Sequence, residues 1–249
     1  MRLLEKGVGT QLPEWVVEQT RAAGYCRMYY ILGGKSVYAD ETGCRPLRRG
    51  WLYLFPARKP YRITHDPAEP INCLWLHLDL YPCDANTLVE LDPAEAENTV
   101  LDCILKALEA ELRTKRDEDV LRSLAEAFAL CLERHPALRR MDAAAVAMLE
   151  SIRSELFSPS LNVEALSLRF GYSPAHFIRV FRARFGMTPY SYITMLRMDA
   201  AARQLAKGVP VQQTAVLCGY ADVKNFARAF KKAYGVPPSE YTRFYRPHA

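Results

Sequence analysis

The sequence predicts an α+β protein of two domains, strand-rich in its N-terminal half and all-α in its C-terminal part. Three observations carry this reading. Residues 25–82 hold short runs of aromatic and β-branched residues between turn signals. From Asp142 onward the apolar residues recur at three- and four-residue steps, punctuated by Gly and Pro. That second part also writes one sentence twice: GYSPAHFIRVFRARFGMTPYSY, then GYADVKNFARAFKKAYGVPPSEY.

YCRMYYIL, SVYAD, WLYLFP, YRITH and INCLWLHLDLY are the expected strands, separated by GG, ETG, RRG and DPAEP. Their regular spacing argues for a small antiparallel barrel or sandwich. Asp92-Pro93 reads as a helix start, with Pro at the first helical position. Leu101, Ile104, Leu105, Leu108 and Leu112 then form one helical stripe, KRDED breaks it, and Val120, Leu121, Leu124, Phe128 and Leu132 form a second. Such a pair either makes a dimer interface or caps the sheet. HPALRRMD supplies the expected interdomain linker.

In the C-terminal part DAAAVAMLESIRSELF is one helix, stopped near SPS. NVEALSLRF follows, with Asn162 as N-cap, and Gly171 ends it. Ser173-Pro174 opens the next helix, and Thr188-Pro189 opens a long one reaching Lys207-Gly208. VQQTAVLC, Gly219-Tyr220 and DVKNFARAFKKAY then repeat the short-helix, turn, helix pattern.

Composition bounds the function classes. The chain has 249 residues, half of them apolar, enough for a real core. No apolar run approaches the ~18 residues of a membrane span, and the N-terminus lacks the apolar core of a signal peptide. A cytoplasmic protein with no membrane partner is expected. Seven cysteines (Cys26, Cys44, Cys73, Cys83, Cys103, Cys131 and Cys218) include no CxxC pair and read as buried, reduced thiols. The net charge of +5 is uneven: from Asp142 onward 14 Lys+Arg face 7 Asp+Glu, against 19 and 21 before it. A basic C-terminal part suggests a polyanion partner.

The repeat sharpens that suggestion. At a shift of 49, Phe177, Arg179, Phe181 and Gly186 land on Phe226, Arg228, Phe230 and Gly235. Gly171-Tyr172 matches Gly219-Tyr220 at a shift of 48, read as a second turn one residue shorter. Within each copy Phe177, Val180, Phe181 and Phe185 make one buried stripe. Ala175, Ile178, Arg179 and Arg182 make another, and the shift carries it to Lys224, Ala227, Arg228 and Lys231. A helix anchored by one stripe and showing small residues and cations on the other suits a DNA major groove. Arg donates two hydrogen bonds to guanine O6 and N7, and small side chains allow close approach. Ser173, His176, Arg182, Lys231 and Lys232 are the candidate phosphate contacts. Two helix-turn-helix units joined by the long helix would present recognition helices about 34 Å apart, to successive major grooves.

GYSPAHFIRVFRARFGMTPYSYI, the following RMDAAARQLAKG, and GYADVKNFARAFKKAYGVPPSEY resemble the DNA-binding domain of the AraC/XylS family of bacterial transcription regulators, over roughly residues 142–246. YYILGG, RRGWLYLFPARKPY and LWLHLDL resemble that family's cupin-like sensor barrel over roughly 20–82. The resemblance implies a cupin-like sensor at 1–82, a helical dimerisation segment at 83–135, a linker at 136–141 and a DNA-binding domain at 142–249. Its helix-turn-helix units would span about 163–184 and 211–234. It implies base contacts from Ala175, Ile178 and Arg179 in the first unit, and from Val223, Lys224, Asn225, Ala227 and Arg228 in the second. It also makes residues 1–20 an arm that closes over the pocket. The family often has Ile where this chain has Thr214, whose buried hydroxyl is expected to bond back to the carbonyl four residues earlier.

For the sensor, Tyr30, Cys73, Trp75 and His77 are the candidate ligand residues; the last three share a strand face with Asp79. The resemblance places Trp75 at a position facing ligand in sugar-sensing relatives. Metal-binding cupins carry a clustered His-x-His with a nearby Glu, absent here, so neither metal nor cofactor is expected. The expected function is a DNA-binding transcription regulator, not an enzyme. Its partners would be promoter DNA, a small and sugar-like effector, a second copy of the chain, and RNA polymerase. Two alternatives stay open: a barrel that only dimerises without ligand, and a cupin-type enzyme with a helical accessory domain.

Overall fold

The computed structural model describes residues 2–20, 23, 25–92, 95, 98–114, 117–136 and 138–245, and divides into two units, Met1–Asp142 and Ala143–Ala249. In the first unit the strands are β1 (Arg2–Thr10), β2 (Val17–Gln19), β3 (Cys26–Gly33), β4 (Ser36–Asp40), β5 (Gly43–Leu47), β6 (Leu52–Leu54), β7 (Tyr61–His65), β8 (Asn72–Asp79), β9 (Cys83–Asp84), β10 (Val89–Leu91) and β11 (Arg139–Arg140). They pair antiparallel as one sheet in the order β1-β8-β3-β6-β10, another in the order β2-β7-β4-β5, and a short β9–β11 ladder.

A strand buried on both faces needs a partner layer on each side, and β3 and β8 have two. Cys26, Met28, Tyr30, Leu74, Leu76 and Leu78 face the helices α1 (Thr99–Arg113) and α2 (Glu118–Arg134). The alternate residues Tyr29, Ile31 and Cys73 face Tyr38, Tyr61 and Ile63 of the second sheet, with Tyr53 and Phe55. Phe55 sits at the centre of this aromatic layer, 5.0 Å from Tyr29, 5.6 Å from Tyr61 and 5.7 Å from Tyr38 between ring centroids.

Several expectations for this unit are corrected. Arg2–Thr10, read as an arm, is an edge strand in register with β8 from Arg2↔Asp79 to Thr10↔Asn72. Its charges and glycines disguise it, yet Gly7 is required: a Cβ there would lie 2.5 Å from the Trp75 ring. GCRPL, not among the expected strands, is β5, paired with β4. The first helix starts at Thr99, not at Asp92-Pro93; Pro93 lies outside the described residues. Asn98 holds that start by folding back: its Nδ2 donates to the Asp92 carbonyl at 2.7 Å and its Oδ1 meets His135 Nε2 at 3.0 Å. Val120 is 44% exposed and faces out from α2. The segment taken as a linker is strapped to the first unit. Arg139 and Arg140 pair with Asp84 and Cys83, and the Met141 amide donates to the Pro82 carbonyl.

The second unit is all helix: α3 (Ala143–Ser154), α4 (Val163–Arg169), α5 (Pro174–Phe185), α6 (Pro189–Ala206), α7 (Val211–Leu217), α8 (Val223–Tyr234) and α9 (Pro238–Tyr245). The helix starts expected at Asn162, Ser173 and Thr188 form, these side chains accepting from the amides of Ala165, His176 and Ser191; Asp222, not singled out from the sequence, caps α8 by accepting from Lys224 and Asn225. Thr214 is fully buried, but its hydroxyl donates to Val209, five residues back, at 3.3 Å. The Pro210 carbonyl expected to receive it instead takes the Thr214 amide, because Thr214 is in the helix's first turn.

The corner from β3 into β4 turns on Gly34. Its φ is +81°, and a Cβ would sit 2.1 Å from the Pro70 carbonyl oxygen. Gly34→Ala is therefore expected to destabilise the first unit by at least about 1–3 kcal/mol. Tryptophan fluorescence during urea unfolding measures this, since Trp15, Trp51 and Trp75 all lie in that unit.

Candidate nucleic-acid interface

An exposed basic helix face is useful only if the opposite face holds the helix still. On α5, Phe177 and Phe181 are completely buried and Phe185 nearly so; on α8, Phe226 and Phe230 are completely buried. The outward faces are polar and basic. Ala175, Arg179 and Arg182 are exposed on α5, and Val223, Lys224, Asn225, Arg228, Lys231 and Lys232 on α8. Ile178 and Ala227 are half-buried. Ile178 also borders a cleft of about 360 Å³ with Tyr190, Thr194, Arg197 and Tyr220.

The turns differ in length opposite to the sequence reading. Residues 170–173 join α4 to α5, while 218–222 join α7 to α8. The second turn is the longer one, because the shift from copy one to copy two grows from 48 at the Gly-Tyr pair to 49 at the phenylalanines.

Each candidate contact has a defined local setting. Ser173 Oγ accepts the His176 amide as N-cap, which leaves its hydroxyl hydrogen able to donate. His176 stacks on Tyr172 at 4.8 Å, and its Nδ1 accepts from Arg179 Nη2 at 3.0 Å. Arg228 Nη2 donates to Asn225 Oδ1 at 2.6 Å. Asp222 begins α8, and the backbone amides of Asn225 and Lys224 hold its carboxyl below the usual carboxylate range. No acidic residue lies within Pro174–Phe185 or Val223–Tyr234, and the carboxylate at the α8 cap, Asp222, acts on Lys224 and Arg228.

Sequence reasoning passed over Arg197, on the inner side of the long helix α6. Its Nε donates to Leu156 O at 2.8 Å, its Nη2 to Ser158 O at 2.9 Å and its Nη1 to Gly219 O at 3.3 Å. The guanidinium also lies over the Tyr220 ring at 5.7 Å. One side chain thus ties the segment after α3 to the turn of the second helix-turn-helix unit. Gly219 allows this approach: its φ is +77°, and a Cβ would lie 2.8 Å from the Phe157 carbonyl. A lone Arg within the otherwise weakly polar SYITMLRMDAAA was the available signal.

The sensor candidates separate. Tyr30 is on the helix-facing side of β3, its hydroxyl 3.4 Å from Asp102 of α1, so it is removed from the inter-sheet face. Two-residue alternation gives that face to Tyr29, directly opposite Trp75. Cys73 is buried there, and desolvation pushes its thiol up to about 12. Trp75 packs on Gly7 and lies 5.2 Å from the His77 ring. His77 Nδ1 is 2.9 Å from Glu5 Oε2, and this contact holds the Glu5 carboxyl below its usual range. Arg27 stands opposite His77 in register, and its donors reach Gln19 Oε1 at 2.7 Å, Tyr61 OH at 3.0 Å and Tyr25 OH at 2.9 Å. The sequence could have found it, because Arg27 alternates with Tyr29 and Ile31. Among the described residues, no three His, Cys, Asp or Glu converge as metal ligands, and no helix is long and apolar enough to cross a membrane.

A helix-turn-helix domain family matches residues 166–243. The multiple antibiotic resistance protein MarA of Escherichia coli (strain K12) is 32% identical over 105 residues, 41% of this chain and 82% of MarA. LumQ, a probable transcriptional regulator of Photobacterium leiognathi, is 24% identical over 148 residues, 57% of this chain. The alignment spans only 60% of the length of LumQ. Over nearly the whole chain the fold is similar to that of ToxT from Vibrio cholerae. ToxT bound to (E)-4-(8-methylnaphthalen-1-yl)but-3-enoic acid superposes with a TM-score of 0.59 at 14% identity, covering 96% of this chain and 98% of ToxT. ToxT bound to unsaturated fatty acid gives 0.56 at 15% identity, covering 96% and 94%.

Replacing Arg197 with Met removes three charged hydrogen bonds and leaves three carbonyls without that donor. The substitution is expected to lower the stability of the helical unit by about 1.5–3 kcal/mol. Thermal unfolding followed by far-ultraviolet circular dichroism measures it, with Arg197→Lys expected to fall between.

Proposed function

Since this chain belongs to the AraC/XylS family of transcription regulators, we propose that it binds promoter DNA sequence-specifically through two helix-turn-helix units and answers to a small-molecule effector. One observation carries the DNA reading: Arg179 and Arg228 stand exposed at equivalent places on α5 and α8, each backed by buried phenylalanines. In the proposed complex both helices enter major grooves. Arg179 reads a base in one block with Ala175 and Ile178 close to the base edges. Arg228 reads the other block with Val223, Lys224, Asn225 and Ala227. Ser173, His176, Arg182, Lys231 and Lys232 hold phosphates and set register.

The N-terminal unit is the proposed sensor and dimerisation module. ToxT has been captured with a fatty acid and with a naphthalenyl butenoic acid, which makes carboxylic acids worth testing beside the sugar-like effector expected from the aromatic strands. Trp75, His77, Cys73 and Arg27 are the proposed ligand side. Effector acts by favouring one of two arrangements of the chain, which requires that it bind that arrangement better. For assembly, α2 turns Val120, Ser123, Ala127 and Leu130 outward at helical spacing, with Val120 44% and Leu130 50% exposed. A second copy covers this stripe in the proposed homodimer, and RNA polymerase is the further partner at the promoter.

A second reading has an observation in its favour. Tyr38, Tyr53 and Phe55 are fully buried between the sheets and fill the space a ligand would use. In that reading the sheets only dimerise. Calorimetry of the full chain with sugars and with unsaturated fatty acids separates the two: saturable heat supports a sensor, and its absence with both classes supports the module without ligand.

Selection of bound DNA from a random library, at one near-physiological salt concentration, tests the DNA reading. Two blocks about one helical turn apart are expected. Arg228→Ala should cost about 1–3 kcal/mol on the selected site and relax one base position. Lys231→Ala should instead weaken binding to every sequence and lower the salt slope by about one unit.

A further inference from the structure

We propose that His176 and Asn225 are positioning residues, one built into each recognition helix, that aim the base-reading arginines Arg179 and Arg228. The proposal rests on the base-reading assignment made above. His176 precedes Arg179 by three residues and Asn225 precedes Arg228 by three, and the shift of 49 that relates the two copies carries His176 onto Asn225. The residue types differ, yet the contact recurs: Nη2 to Nδ1 at 3.0 Å in α5, and Nη2 to Oδ1 at 2.6 Å in α8. Asn Oδ1 and His Nδ1 are attached at the same place, one bond beyond Cγ. Two chemically different side chains thus offer an acceptor at one point in space.

Positions three apart on a helix are neighbours on its surface. An exposed arginine otherwise loses considerable rotamer freedom when it docks on a base. An acceptor on the preceding turn removes part of that freedom before DNA arrives. It also selects an edge. The guanidinium offers its N–H groups as two forks that share Nη2. With one Nη2 hydrogen engaged, one fork remains complete for guanine O6 and N7.

The partner groups keep roles of their own. A guanidinium only donates, so Nδ1 of His176 is the unprotonated nitrogen and Nε2 carries the hydrogen, free to donate to a phosphate. Asn225 engages Arg228 through Oδ1, so its Nδ2 hydrogens are left for a base edge.

The test uses the full chain and the DNA site recovered by selection. Its readout is the ratio of affinities for that site and for the same site with the arginine-read base changed. Phosphate contacts cancel in this ratio, so loss of the His176 phosphate contact does not move it. Arg179→Ala and Arg228→Ala first identify the two base positions. His176→Ala and Asn225→Ala are then expected to lower the ratio roughly three- to tenfold at the matching position only, the scale of one hydrogen bond. His176→Asn, which keeps the acceptor, is expected to retain it. Ratios unchanged in both alanine variants, while the arginine variants collapse them, overturn the positioning role and leave base reading intact. A loss in His176→Ala that His176→Asn fails to restore overturns it as well. Ratios that survive Arg179→Ala and Arg228→Ala remove the base-reading assignment, and this inference with it.

Discussion

The C-terminal unit depends on the burial of four phenylalanines. Phe177 and Phe181 on α5, and Phe226 and Phe230 on α8, have no exposed surface. Full burial of such a ring contributes about 1.5–3 kcal/mol, so α5 and α8 are each held by far more than their own propensity. Short isolated helices are marginal in water. Anchored this way, α5 and α8 can carry several cations each, where mutual repulsion would otherwise favour fraying. The caps at Ser173 and Asp222 set where each helix begins, and the phenylalanine stripes set which way it faces.

The first unit depends on a different constraint, the period-two alternation of β3 and β8. Both strands serve two cores at once, one with the helical pair and one with the second sheet. A residue's neighbours therefore change completely with a step of one position. Tyr29 and Tyr30 are adjacent in sequence, but one contacts the aromatic layer and the other reaches Asp102. The same alternation puts Arg27 and His77 together at one end of the inter-sheet face, with Glu5 of the edge strand joining them.

Arg197 and the acceptor–arginine pairs share one physical theme. In each, a guanidinium is held by neutral acceptors rather than by a carboxylate. Inside the helical unit this ties backbone segments together and keeps the turn of the second unit in place. On the surface the hydrogen-bonded partner is a neutral side chain, so the contact itself does not cancel the positive charge as a salt bridge to Asp or Glu would.

Legible without any structure were the two-domain α+β class, the helical elements of the second unit, the helix starts at Asn162, Ser173 and Thr188, and the repeated basic faces. All of these follow from local chemistry: periodicity, proline and glycine positions, and side chains that bond to amides two or three residues away. What local chemistry does not encode stayed hidden until the chain was folded. Arg2–Thr10 carries Gly and charge because it is an edge strand beneath Trp75, and only the partner strand reveals it. The start of α1 falls at Thr99, and the side chain of the preceding Asn98 is engaged by His135, 37 residues away. Arg197 finds its carbonyls, and Arg27 its tyrosines, through contacts distant in sequence. Tertiary structure decides such features because a hydrogen bond's partner is set by where backbones meet in space, and spacing along the chain says nothing about that meeting.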